Sequence, residues 1–218
     1  MSKTDNRADC TSINGAGFEA GAGLETELHD INRIEGALRG KKARTAIFDR
    51  DGVINRIVMR DGAPASPRNM EEFILEPEAS AALARLKAAG FRMFVASNQP
   101  DLARSKTAPE TIDAMTAAIL AALPIEAVRV CPHDDGDGCE CRKPRPGMLL
   151  SLARDFGFDL SGAFMIGDTW KDVNAGRAAG CATILLARDY NRGVDADFKT
   201  ATLSEAVDLI LAGGEARR

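Results

Sequence analysis

Thr45-Ala-Ile-Phe48-Asp49-Arg50-Asp51-Gly52-Val53-Ile54-Asn55 is the stretch on which the fold turns. Thr45–Phe48 is a short apolar run that fits a buried strand, and it ends on a carboxylate, Asp49; a second carboxylate follows two residues on and Gly52 permits a tight turn. The same arrangement recurs outward along the chain. Phe91–Ala96 predicts a strand that runs into Ser97-Asn98-Gln99, Ala127–Val130 one that runs into a cysteine-rich loop, Ala163–Ile166 one that stops at Gly167-Asp168, and Ala182–Leu186 a fifth. Between them, Pro77–Ala89 (closed by Gly90), Pro109–Leu123, Gly147–Phe156 and Leu203–Leu211 carry helical spacing. Strands alternating with helices at this pitch imply an α/β fold: a Rossmann-like three-layer sandwich with a central parallel sheet.

Asp49, Ser97, the cysteine-rich loop with Lys143, and Asp168 all fall at or just after the carboxyl ends of these strands, where open α/β sheets form their ligand crevice. Each has an ordinary explanation when taken alone. Ser97-Asn98 reads as a turn, Asp168 as a helix N-cap and Lys143 as a surface charge. Four segments pointing at one crevice argue for a site.

The loop Cys131-Pro-His133-Asp-Asp-Gly-Asp-Gly-Cys139-Glu-Cys141 holds three of the five cysteines and one of the two histidines. Cys131, His133, Cys139 and Cys141 match a closed tetrahedral zinc site, structural because no position is left for water. Disulfides and an incidental acidic loop are the competing readings. The first is disfavoured in a reducing cytosol, and the chain shows no apolar signal-peptide run near its start; the second fits poorly, because isolated cysteines prefer apolar burial. Arg142 and Lys143 follow directly, so a metal would fix two cations in place.

With 218 residues and 45% hydrophobic content, the chain can fill one α/β core and carry a tail. A formal charge of −4 gives no general pull toward nucleic acid or anionic membrane, and no apolar run approaches a membrane span. The expected organisation is an arm over 1–42, disordered to about residue 22 and then helical over Leu24–Leu38, one domain over 43–212 with the zinc loop at 131–141, and a tail over 213–218. A soluble, cytoplasmic monomer is expected.

Asp49-Arg-Asp51-Gly-Val-Ile-Asn55, Ser97-Asn-Gln99, Arg142-Lys143-Pro144-x-Pro146-Gly147-Met148 and Gly167-Asp168-x3-Asp172 resemble, in order, the four motifs of the haloacid dehalogenase superfamily. The zinc loop before Arg142-Lys143-Pro144 is similar to the branch of heptose-bisphosphate and histidinol-phosphate phosphatases. That resemblance implies Asp49 as nucleophile forming an aspartyl-phosphate, Asp51 as general acid and base, Ser97 and Asn98 as phosphoryl-oxygen donors and Lys143 as the balancing charge. Two carboxylates facing a phosphate need a cation between them. The resemblance supplies Mg²⁺ on Asp49, Asp168 and the backbone carbonyl of Asp51. It also makes Arg50 and Asn55 lining residues. Arg142, fixed by the zinc loop, is a candidate for a second substrate anion.

The intervals between motifs are filled by the elements already assigned, which leaves no room for a large cap domain. A small phosphorylated metabolite, chiefly a sugar bisphosphate, is the expected substrate. The chain departs from the bisphosphatases after motif II, where they usually continue Ser-Gly and it has Pro100-Asp101. An acid there could attract the amine of histidinol phosphate, which keeps that substrate as the alternative. A catalytically weak scaffold is the other, although the residue set is complete.

Overall fold

The computed structural model describes residues 12–14 and 44–212. Its centre is a seven-stranded sheet. The strands are β1 (Ser12–Asn14), β2 (Thr45–Phe48), β5 (Arg92–Asn98), β6 (Ala127–Cys131), β7 (Ala163–Gly167), β8 (Ala182–Leu186) and β9 (Phe198–Thr200), in the spatial order β1-β6-β5-β2-β7-β8-β9. All pairings are parallel except that of β1 with β6. A separate two-stranded hairpin, β3 (Val58–Arg60) with β4 (Ala63–Ala65), follows the β2 turn. The helices are α1 (Ala79–Ala88), α2 (Pro100–Ala103), α3 (Pro109–Ala122), α4 (Gly147–Phe156), α5 (Trp170–Ala179) and α6 (Leu203–Leu211).

Period-two alternation along each strand divides the core into two layers. Ala46, Phe48, Met93 and Val95 pack with Leu83 and Leu86 of α1, Met115 and Ile119 of α3, and Val207 and Ile210 of α6. Ile47, Phe94, Ala96 and Met165 face the other way, onto Met148, Leu149 and Leu152 of α4. Helix α5 lies close on this second face. A Cβ at Gly176 would meet Met165 and Thr183 side-chain atoms at 2.8 Å. The predicted three-layer sandwich is thus the one observed, and among the described residues no large cap interrupts it.

Chain order runs from central β2 outward to β5 and β6, then crosses to β7, β8 and β9 on the other side of β2. That reversal puts the crevice over the carboxyl end of β2. The hairpin, α2 and β9 were not expected from the sequence. Nor was β1: residues 1–22 read as an arm without structure, yet Ser12–Asn14 pairs antiparallel with β6 and covers an edge whose backbone groups would otherwise lack partners. The predicted helix over Leu24–Leu38 and the tail over 213–218 lie outside the described residues. Among the described residues, no helix is long and apolar enough to cross a membrane.

Candidate active site

Five elements deliver side chains to one cavity of about 290 Å³ at the carboxyl edge of the sheet. Asp49 follows the last residue of β2, and its N–H continues the ladder to the Ile166 carbonyl at 2.8 Å. The chain then doubles back, with the Ile54 and Asn55 N–H groups both donating to the Arg50 carbonyl. Gly52 sits in this turn at φ +83°, and a Cβ there would lie 2.1 Å from Asp168 Oδ2. Only glycine lets motif IV come this close to motif I.

Lys143 is the electrostatic hub. It is 2% exposed, its Nζ lies 2.8 Å from Asp49 Oδ1 and 2.5 Å from Asp172 Oδ1, and it donates to the Ala96 carbonyl at 2.7 Å. Burial alone would favour the neutral amine, but Asp172 and Asp49 outweigh it and hold the Lys143 pKa above its ordinary value. Asn98 fixes the lysine's backbone from both sides: its Nδ2 donates to the Lys143 carbonyl at 2.9 Å and its Oδ1 accepts the Lys143 N–H at 3.0 Å. Ser97 is buried and absent from the cavity lining; its hydroxyl accepts from Gln99 Nε2 at 2.9 Å and keeps its own proton to donate.

The carboxylates divide by environment. Burial, then the Asp172 charge, push the Asp49 pKa well above its ordinary value, against the pull of Lys143. Asp168 is pushed up to about 7 by burial and by Asp172, although the Tyr190 hydroxyl, which donates to Asp168 Oδ2, opposes the rise. Asp51 goes the other way. Burial raises it, but the Arg50 guanidinium together with bonds from Asn55 and Ser66 brings it below the ordinary range. It accepts from Arg50 Nε and Nη2 (3.0 and 3.1 Å), Asn55 Nδ2 (2.9 Å), Ser66 Oγ (2.7 Å) and Gln99 Nε2 (2.8 Å).

Asp49, Asp168 and Asp172 place carboxylate oxygens within 4.8 Å of one another, and Asp168 Oδ1 is buried without a hydrogen-bond partner. Crowded oxygen donors and an orphaned buried acceptor fit a hard divalent cation. Asp172 is the member already engaged: the Thr169 N–H (3.0 Å) and hydroxyl (2.5 Å) both donate to its Oδ2 while Lys143 faces Oδ1. Asp168 itself is no helix cap, since Thr169 is the N-cap of α5.

The predicted zinc ligands also converge. Cys131 Sγ lies 3.3 Å from Cys141 Sγ, 3.7 Å from Cys139 Sγ and 3.5 Å from His133 Nδ1, and Cys141 Sγ is 3.4 Å from that nitrogen. A tetrahedral thiolate site with Zn–S bonds of about 2.3 Å has S–S edges of roughly 3.8 Å, so the cluster fits the ion. The loop acids are structural: Asp134 and Asp137 cap the turn Asp135–Asp137 reciprocally.

Arg50 and Asn55 depart from expectation. Both are fully buried and neither lines the cavity; their guanidinium and amide are turned onto Asp51, which makes them positioning residues. Arg142 does line it, at 7% exposure, with Nε on Asp135 Oδ1 (2.8 Å) and Nη1 on the His133 carbonyl (3.1 Å). Ser66, Arg68, Gln99 and Tyr190 were missed. Gln99 stood inside a quoted motif; the others bond across 15 to 33 residues, with no local sign of it.

A carboxylate pair just past the end of the central strand, a buried lysine from a neighbouring loop and an acidic cluster that fits a cation make the arrangement of an α/β phosphatase. A HAD-hydrolase-like family model matches residues 140–209. The D-glycero-β-D-manno-heptose-1,7-bisphosphate 7-phosphatase of Pseudomonas aeruginosa is 37% identical over 145 residues, 64% of this chain and 79% of that protein. Its Bordetella bronchiseptica counterpart is 37% identical over 151 residues, 67% of this chain and 82% of that protein. The solved structure of D,D-heptose 1,7-bisphosphate phosphatase from B. bronchiseptica, complexed with magnesium and phosphate, superposes with a TM-score of 0.67 at 31% identity over 78% of this chain and 98% of that one. The chain belongs to the HAD-like phosphatase family that these enzymes represent.

Proposed function

We propose that the 43–212 domain removes the 7-phosphate of a D-glycero-D-manno-heptose 1,7-bisphosphate by way of an aspartyl-phosphate, as a cytoplasmic enzyme. The carrying observation is the cavity itself. Asp49, Asp51, Asp168 and Asp172 line it together with Arg68, Arg104, Lys106, Arg142, Lys143 and Lys171, a cationic wall that suits a substrate with two phosphates.

Asp49 Oδ1 holds both the Arg50 N–H (2.7 Å) and Lys143 Nζ, which leaves Oδ2 as the attacking oxygen. Attack forms the P–Oδ2 bond as the ester P–O bond breaks, and Lys143 offsets the charge on the equatorial oxygens. Asp51 donates a proton to the departing sugar oxygen and then takes one from the water that cleaves the intermediate. Its five donors set it as a base at rest. A phosphate dianion arriving beside it disfavours a second negative charge, so binding raises its proton affinity for the first half-reaction. Mg²⁺ on Asp49, Asp168 and the Asp51 carbonyl would supply charge neutralisation and orient the phosphate. Ser97 would donate its free proton to a phosphoryl oxygen. Zn²⁺ on Cys131, His133, Cys139 and Cys141 would hold the loop that positions Arg142 and Lys143.

Histidinol phosphate is the weaker reading because Asp101 is already neutralised, its Oδ2 accepting from Arg68 Nε at 2.7 Å. Purified protein with Mg²⁺ should show a higher kcat/KM for the heptose bisphosphate than for histidinol phosphate or p-nitrophenyl phosphate. A preference for histidinol phosphate, or no turnover of any of them, overturns the assignment.

A further inference from the structure

Pro100-Asp101 departs from the family pattern in the wall of the cavity itself. An acid in the wall of a pocket for a dianion is unfavourable unless it is paired. Asp101 is paired. Its side chain is 11% exposed and Arg68, arriving from the segment after β4, donates Nε to it at 2.7 Å; Arg104 lies 3.8 Å away on the other carboxylate oxygen.

The pairing uses only one of the guanidinium's donors. Neither Nη group of Arg68 has a hydrogen-bond partner among the described residues, and Arg68 lines the cavity. The other two lining arginines are more committed: Arg104 gives Nε and Nη2 to Asp134 at 2.7 and 2.5 Å, and Arg142 gives Nε and Nη1 to the zinc loop. The backbone beneath Arg68 is pinned as well, its N–H on Glu72 Oε2 (2.8 Å) and its carbonyl accepting from Thr107 Oγ1 (3.0 Å). A planar fork fixed at its base loses little freedom on gripping an anion.

Position says which anion. Ser66, two residues before Arg68, and Gln99, two residues before Asp101, both donate to the Asp51 carboxylate. Asp51 serves the leaving group, so Arg68 and Asp101 border that side. We infer that Arg68, aimed by Asp101, grips the phosphate carried on the leaving group and is the specificity-determining residue for a bisphosphate. The inference rests on the sugar-bisphosphate reading above.

The test is steady-state kinetics of the full chain with Mg²⁺, using heptose 1,7-bisphosphate and heptose 7-phosphate, in the unmodified protein and in Arg68→Ala, Arg68→Lys, Asp101→Asn and Arg68→Ala/Asp101→Asn. The double variant covers the case in which a lone Asp101 carboxylate prevents folding. The bisphosphate-to-monophosphate ratio of kcat/KM should fall about ten- to a hundredfold in Arg68→Ala, mainly through KM for the bisphosphate. Arg68→Lys, which keeps charge but not the fork, should fall between, and Asp101→Asn should lower the ratio less and add nothing to Arg68→Ala. An unmodified protein that favours the bisphosphate with a ratio unmoved in Arg68→Ala and the double variant overturns the role of Arg68 and leaves the bisphosphate reading standing. No bisphosphate preference in the unmodified protein overturns that reading and, with it, the inference.

Discussion

Two polar clusters stand at the same edge of the sheet, joined by Arg142 and Lys143, and they are built on opposite principles. Around Asp49 the donors are hard oxygens, they line an open cavity, and a buried lysine crowds in among them. Around Cys131 the donors are soft sulfur and imidazole nitrogen, closed on one another and tied to a short capped turn. The first arrangement keeps charge under tension and exposes it to a substrate. The second satisfies its own ligands and exports only position. Function sits where the fold leaves charge incompletely compensated, and stability where it does not.

The sharpest way to break this contrast is Asp49→Asn. The amide is nearly isosteric but cannot attack phosphorus, so turnover should fall by at least about a thousandfold while the melting temperature and bound zinc stay unchanged. Zinc loss in that variant would show that the clusters are not separable. Cys141→Ser is the converse. It should release about one zinc per chain by metal analysis and cost roughly 4 kcal/mol or more, a drop in Tm on the order of 10 °C, with activity lost because Lys143 follows two residues on. Mild EDTA should separate the two again: activity should vanish and return with Mg²⁺ while zinc stays bound, and a need for added zinc would reverse the assignment of roles.

The smallest effect is expected far from both. Glu78, at the start of α1, accepts from the Leu203 and Ser204 N–H groups at 3.0 and 3.1 Å and from the Ser204 hydroxyl at 2.5 Å, joining α1 to α6. Burial raises its pKa, but these bonds outweigh it and the net value is below the ordinary one. Its contribution is therefore present above about pH 4.3 and lost as pH falls through the lowered folded value. Glu78→Gln should cost about 1 kcal/mol in urea unfolding at pH 7, less near pH 3, with turnover and zinc unchanged. A change in either would mean that the helix layer feeds into the site.

Much of this was legible in the sequence for a physical reason. The core strands and helices announce themselves through local periodicity, Asp49 and Asp168 lie directly after strand ends, and Lys143 lies in the loop between β6 and α4. The residues of the Cys/His cluster share one loop. What could not be read was partnership across the chain. Arg50 lies between Asp49 and Asp51 in sequence, yet its side chain is fully buried and bonded to Asp51, because adjacency does not say which way a side chain leaves a turn. Asp101 read as an acid open to a substrate amine, because the arginine that occupies it is 33 residues away. The β3–β4 hairpin carries too few apolar residues to register as strand, with Met59 exposed and Pro64 in its second arm.

Strand order carries a consequence for synthesis. β2 lies between β5, which emerges soon after it, and β7, which emerges more than a hundred residues later. A ribosome that has delivered residue 160 has already delivered Asp49, the whole thiol loop and Lys143, but one long side of β2 still has no neighbour. Such an intermediate carries an open strand edge and a lysine whose partner Asp172 has yet to be made, both hazards for a nascent chain. When β7 docks, it closes that edge and brings Asp168 against Gly52 in the same motion, so the sheet edge and the acidic cluster are completed together.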